Sequence, residues 1–368
     1  MLGALLLAWS CARVDVPGDT ASDNCVIGFE ASIEDLQSDG TRSTLVNGPG
    51  FTDGASFRVY GRRVGEGQNT RILGVAGTMV TWDSSEEEWS YSPDHYWYWM
   101  NAANYYDFLA AYPDPDGANQ SSRMVDGSAQ EIAGNLAIQK PYKLADDYDL
   151  MLAGTRRTGA IAATRTNPVP LTFQHMLCAV KVKVKNESSS ASITLNSIKF
   201  DNLVHSANAK VTIDATGAPE FSWIDTQRKS DLVNYASPGS SISAGSSYFP
   251  AAFTLFIPAD LTVAIDGGMK PDAGDYDVPA DYETALTAYR SKIPHLIIDY
   301  SPSDGAVSIP LVDIQKVRYG TEDSISEWEM GVKYTYNITI RLDGNVIVTV
   351  ITTEWDDVPA ETPGLLID

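Results

Sequence analysis

Apolar and polar side chains alternate through most of this sequence. Ile27, Phe29, Ala31 and Ile33 alternate with Gly28, Glu30 and Ser32, the period-2 signature of a strand with one buried face. Phe57, Val59 and Tyr60 begin another strand after the turn-rich stretch NGPGFTDG. Val180, Val182 and Val184 alternate with Lys181, Lys183 and Lys185, which predicts a strand whose lysines form the wet face. Ile193, Leu195, Ile198 and Phe200 continue the pattern. Near the end, Tyr334, Tyr336, Ile338 and Ile340 line one face of a strand, and Val346, Val348 and Val350 line the return. Asp343-Gly344 between them supplies a hairpin turn, because glycine takes the positive φ such turns require. Ile347 and Ile351 add a second apolar face, which predicts cover on both sides of this last strand. One short helix of two turns is predicted over 281–289 (DYETALTAY).

Many short strands, separated by 28 glycines and 19 prolines, define an all-β protein built of sandwiches. The length of 368 residues suits two domains. Residues 154–170 are rich in turn and small residues, and the Val/Lys strand follows directly. The expected organisation is therefore an N-terminal β-sandwich over 26–165 and a C-terminal β-sandwich over 166–368.

The first residues carry a different signal. Residues 2–9 (LGALLLAW) are apolar throughout. The run is too short to span a bilayer, which takes about 20 residues, and has the length of a signal-peptide core. Ser10 and Cys11 follow, then a polar stretch. Residues 1–11 read as a lipoprotein signal segment ending at Cys11, whose thiol would be acylated, and 12–25 as a flexible linker. Acyl chains would then hold the protein at a membrane.

The formal net charge of −22 repels nucleic acid and anionic headgroups, so neither is expected as a partner. Of the three cysteines, Cys25 and Cys178 are isolated and no two sit at metal-site spacing. The four histidines (His95, His175, His205, His295) are scattered, with no HExxH pair and no GxSxG elbow. His175 reads as a structural histidine on a strand. The acidic clusters Asp114, Asp116 and Asp272, Asp275, Asp277 do not have the spacing of a calcium loop. No catalytic residue, metal or cofactor is assigned, and the chain is not expected to be an enzyme. The aromatic block WSYSPDHYWYW has two readings. Its rings would stack on sugars as a surface platform, or Trp89, Trp97, Phe108 and Tyr112 would fill the N-terminal core.

Five segments in order resemble the fimbrillin family of Bacteroidales, the subunits of type V pili, and in particular its minor-fimbrium-like branch. They are VIGFEASIEDLQSDGTR ending at Arg42, the aromatic block with YYDFLAAYP, DLMLAG at 149–154, VPLTFQHMLCAVKVKV, and GVKYTYNITIRLDG with the following β-run and TEW. Leu171, Phe173, His175, Leu177 and Val180 match a recurring strand of that family. The resemblance implies two tandem transthyretin-like sandwiches of Greek-key type, exported as a lipoprotein to the cell outer membrane. It implies that an arginine-specific surface protease cuts between Arg42 and Ser43 and removes the first strand, with its inward set Ile27, Phe29, Ala31 and Ile33. A strand from another fimbrial subunit would then fill the groove by β-strand addition. Residues Val346, Val348, Val350 and Ile351 are the candidate donor strand, with the tail residues Leu365, Leu366 and Ile367 as a possible extension. Only 13 residues follow Trp355, and Pro359 and Pro363 among them disfavour a strand. Shaft, tip and anchor roles stay open, as does a host glycan or protein receptor. The alternative reading is a surface glycan-binding lipoprotein.

Overall fold

Period-2 alternation becomes structure only when each apolar face finds another to cover it. In the computed structural model, which describes residues 27–33, 51–91, 99, 104–114, 129–158, 168–302 and 311–354 with short gaps inside several of these spans, almost every element is a strand. In chain order these begin with β1 (Phe29–Ile33), β2 (Ser56–Gly65), β3 (Gln68–Ile72), β4 (Thr78–Asp83), β5 (Glu88–Ser90) and β6 (Tyr105–Tyr112). They continue with β7 (Ala129–Ile132), β8 (Asn135–Lys143), β9 (Met151–Thr158) and β10 (Val169–His175). Next come β11 (Cys178–Asn186), β12 (Ile193–Asp201), β13 (Val204–Ile213) and β14 (Pro219–Arg228). The signal segment with Cys11, the linker with Cys25, and the Arg42–Ser43 bond lie outside the described residues.

The N-terminal sheet runs β1-β10-β9-β6-β2-β4-β5, with β3 hairpinned onto β2. It curls until its two ends meet. Tyr91, just past β5, donates its hydroxyl to the Ile27 carbonyl at 2.9 Å and sets its ring 6.0 Å from that of Phe29. Inside the curl lies one core: Ile27, Phe29, Phe57, Val59, Trp82, Phe108, Leu171 and Phe173. The strands β6 and β9 are apolar on their other face as well. Tyr60, Leu109, Ala111 and Leu152 pack there on Ile138, Val211 and Ile213 of a second sheet, β14-β13-β8-β7. Gly154 permits this approach, since a Cβ there would lie 3.0 Å from Pro219 Cβ and 3.1 Å from Leu109.

A charged row crosses the middle of the N-terminal sheet. Asp107 on β6 is fully buried and accepts from Arg62 Nη2 on β2 at 2.7 Å and from Arg156 Nε on β9 at 2.6 Å. The three residues are register partners across three adjacent strands. The carboxylate holds the Arg156 guanidinium above its usual range.

The C-terminal half forms a two-layer sandwich. One layer pairs β11 with the strand Val332–Ile340 in parallel, and that strand with Val346–Glu354 antiparallel. The other pairs β12 with His295–Pro302. Between them sit Val180, Val182, Val184, Leu195, Phe200, Ile298, Tyr336 and Trp328. Trp328 donates its indole N–H to the Tyr336 hydroxyl at 2.8 Å, so neither polar group is stranded in the core. The helix Pro279–Arg290 carries proline at its first turn, where a missing N–H costs nothing.

The all-β class holds, with one α-helix among the described residues. It covers the segment read from sequence and extends slightly beyond it at both ends. Two local expectations change. Residue 165 lies between β9 and β10, which are neighbours in one sheet, and β8 pairs with β13. The last strand is not covered on both faces: Ile347 and Ile351 are exposed. The first lysine of the wet face, Lys181, is buried, with its ammonium 5.1 Å from the Phe253 ring. Apolar periodicity marks which face a residue is on, but not whether a neighbouring segment folds over that face.

Candidate assembly site at the first strand

Among the described residues, the first strand is an edge strand with a single ladder. It runs parallel to β10 in the register Phe29↔Val169 through Ile33↔Phe173, and Val169 N–H donates to the Gly28 carbonyl at 2.8 Å. A parallel neighbour so distant in sequence needs a long connection, and residues 34–168 provide it. On its far side β1 approaches β5 through side chains, with Tyr91 as the polar link.

The four side chains expected to face inward do so. Ile27, Phe29 and Ala31 are buried in the N-terminal core, and Ile33 packs against its rim. Phe29 sets its ring edge-on to Phe108 at 5.8 Å. Beside β1 in the sheet, Val169, Leu171 and Phe173 of β10 enter the same core, as does Phe108 against Phe29, all fully buried. Burying two isoleucines and a phenylalanine stabilises the closed form by about 5–8 kcal/mol, an upper figure because an unfolded chain already hides some of this surface. Among the described residues, β1 thus carries one ladder and an apolar inner face.

Polar anchoring sits at the far end of β10. The Asp149 carboxylate lies 2.8 Å from His175 Nδ1, with the ring buried. Burial and the nearby Asp149 charge push the Tyr112 phenol up. The pair ties β10 to the segment entering β9. Asp114 is fully buried and bonded by Arg58 Nε at 3.1 Å, so it closes the end of β6. Asp272 caps a short turn through the Gly274 N–H at 2.8 Å. Asp116, Trp97 and Arg42 lie outside the described residues.

The aromatic block divides as its core reading predicts, where it is described. Trp99 and Phe108 are fully buried, and Trp89 and Tyr112 pack against the same core. Trp89 lies tilted to its neighbours, 4.9 Å from Phe57 and 5.4 Å from Trp82. These four rings fill the curl of the sheet.

The candidate donor residues lie in the strand Val346–Glu354, which is built into the C-terminal sheet. It pairs along all nine residues with Val332–Ile340, and on its other edge, among the described residues, Thr349 and Val350 pair with Arg318 and Tyr319. The Val350 side chain is buried and Ile351 points outward. Leaving this place would uncover the Tyr336 and Ile338 face. Cys178 keeps its thiol in the core, where it donates to the Phe256 carbonyl at 3.4 Å and burial pushes its pKa far up. The residues sequence reading missed are Asp107, Arg62, Arg156 and Tyr91. An aspartate inside the apolar run YYDFLAAY was the one available signal.

A curled sheet with β1 at its end, joined to a two-layer sandwich, makes this an all-β protein of stacked sheets. The model of the fimbrillin-like family matches residues 41–355, and the chain belongs to that family. It is a structural subunit of a fimbria at the cell surface. The chain is similar to a solved fimbrial protein from Bacteroides vulgatus ATCC 8482, at 18% identity over 90% of this chain and 99% of that one, with a TM-score of 0.47. It is also similar to the tip fimbrial protein Mfa3 of Porphyromonas gingivalis, at 10% identity over 82% and 95%, TM-score 0.35. The fimbrial anchor protein Mfa2 of the same organism aligns at 10% identity over 90% and 97%, TM-score 0.35. No curated protein sequence matches this chain.

Proposed function

We propose that this subunit assembles as an acceptor in proteolysis-triggered strand exchange. The chain is exported as a lipoprotein acylated on Cys11. An arginine-specific surface protease cuts between Arg42 and Ser43 and releases the segment that carries β1. The groove beside Val169, Leu171 and Phe173 then takes an alternating apolar strand from a neighbouring fimbrial subunit. The observation that supports this most is the placement of β1: an edge strand with one ladder, its apolar residues inward, just before the proposed cleavage bond. Donation by Val346, Val348, Val350 and Ile351 would need that strand to leave a nine-residue pairing. The acceptor role is therefore the one we assign. No catalytic chemistry is proposed, and adhesion would follow from display at the cell surface.

N-terminal sequencing of the protein taken from the cell surface tests this directly. A start at Ser43 in polymer, and a blocked Cys11 in the unprocessed form, is the expected result. The Arg42→Ala variant should keep β1 and drop out of polymer. Unchanged mature mass and undiminished polymer in that variant would overturn the proposal.

A further inference from the structure

The outer face of the C-terminal sheet is cationic on a strongly anionic protein. Three cross-strand rows compose it: Lys181–Thr335–Ile351, Lys183–Asn337–Thr349 and Lys185–Thr339–Ile347. Lys333 continues it, beside Thr353 in register. The Lys183 ammonium sits 5.3 Å from the Phe249 ring, which is 61% exposed, and Lys181 and Lys333 share the ring of Phe253. Ile347 and Ile351 are 39% and 53% exposed on the same face. Exposed isoleucines and a phenylalanine give this face an apolar centre, and the lysines around it give it a polar, charged rim.

A complementary patch lies elsewhere on the same chain. Residues 270–283 expose Asp272, Asp275, Asp277, Asp281 and Glu283 against one lysine, Lys270. The exposed Val278 supplies an apolar centre. This segment precedes and opens the helix Pro279–Arg290, which buries Leu286 and Tyr289 against Ala264 and Ile293. Asn202, at the turn after β12, binds the Ser291 and Ile293 carbonyls at 3.1 and 2.9 Å. The acidic segment therefore belongs to the β12 layer of the sandwich, whereas the lysines belong to the outside of the β11 layer. The two patches sit on opposite layers.

We infer that the lysine face docks the acidic 272–283 segment of a second copy of this chain. The contact uses two different surfaces, so it is heterologous and repeats head to tail, the symmetry that extends a filament rather than closing a dimer. Opposite charge would steer the encounter and set its orientation, and the isoleucines, Phe249 and Val278 would supply the dry centre. The inference rests on the assembly reading above only in taking another copy as partner. It needs no strand to be released.

Sedimentation velocity on the chain with β1 in place tests it apart from strand exchange. The wild type should self-associate at 20 mM salt and dissociate at 500 mM, because exposed charge pairs are screened at high ionic strength. One variant carries Lys183→Glu and Lys185→Glu, the other Asp275→Lys, Asp277→Lys and Asp281→Lys. Each alone should be monomeric, with self-association weakened at least about tenfold by facing like charges. Mixed together, they should co-assemble in alternation at equimolar ratio, because each surface then faces opposite charge on the other variant. A melting curve matched to wild type checks the fold of each variant, and recovery on mixing is a second control. Undiminished self-association in either variant, or no complex on mixing, overturns the inference. So does a wild type that stays monomeric at low salt while its lysine face binds an anionic polysaccharide probe such as polygalacturonate. Loss of this contact with normal polymer from Arg42-processed protein would leave the strand-exchange proposal standing.

Discussion

Truncating Phe29 to alanine removes the largest side chain of β1. It is 4% exposed and ringed by Phe108 at 5.8 Å and Tyr91 at 6.0 Å. A buried Phe→Ala change costs about 3–5 kcal/mol. An edge strand can partly collapse onto the space left, which argues for the low end. A loss of about 3 kcal/mol raises the population of the strand-released state roughly a hundredfold or more, since each 1.4 kcal/mol is tenfold. The loss should fall on local opening of β1, because among the described residues that strand has one ladder, the Tyr91 bond and one long Ser32–Thr172 hydroxyl contact. Hydrogen exchange read by mass spectrometry on the β10 segment reports this opening directly. Protection across Val169–His175 should fall by about two orders of magnitude. Protection across Val332–Ile340, in the other sandwich, should stay as in wild type. If β10 keeps its protection, or if both sandwiches lose protection together, β1 is an integral strand and the strand-release proposal fails.

Four further outcomes follow from the same structure. Asp107→Asn should destabilise the N-terminal sheet by about 3–5 kcal/mol in denaturant titration, because Arg62 and Arg156 lose the one buried carboxylate that the two share. Tyr336→Phe should cost about 1–3 kcal/mol by leaving the Trp328 N–H unpaired in the core, and should red-shift or quench no other tryptophan. The Cys178 thiol should stay unreactive to a thiol reagent in the native state and react on unfolding, since burial disfavours its thiolate. Asp53, Asp83 and Asp214 are held below the ordinary carboxylate value by hydrogen bonds from Ser84, Ser85 and Thr216. A depressed folded-state value stabilises the protein above the unfolded pKa and is lost as pH falls through the folded one. The melting temperature should therefore drop below about pH 4, and the triple aspartate-to-asparagine variant should show a shallower fall.

Local pattern determined a good deal here. The inward set Ile27, Phe29, Ala31, the buried face Tyr334, Tyr336, Ile338, Ile340 and the helix near 281–289 were all readable. Alternation with period 2, and capping by proline, are set by a few neighbouring residues, so a window of sequence contains them. The tertiary structure alone decided the partners. It set Phe29 beside Val169, β8 beside β13, and Asp107 between two arginines from strands before and after it. It left Ile351 in solvent and drew Lys181 under Phe253. The alternation of a strand states which way each side chain points. Which strand lies next to it, and what covers its outer face, depends on chain closure over a hundred residues or more, and only the folded whole contains that information.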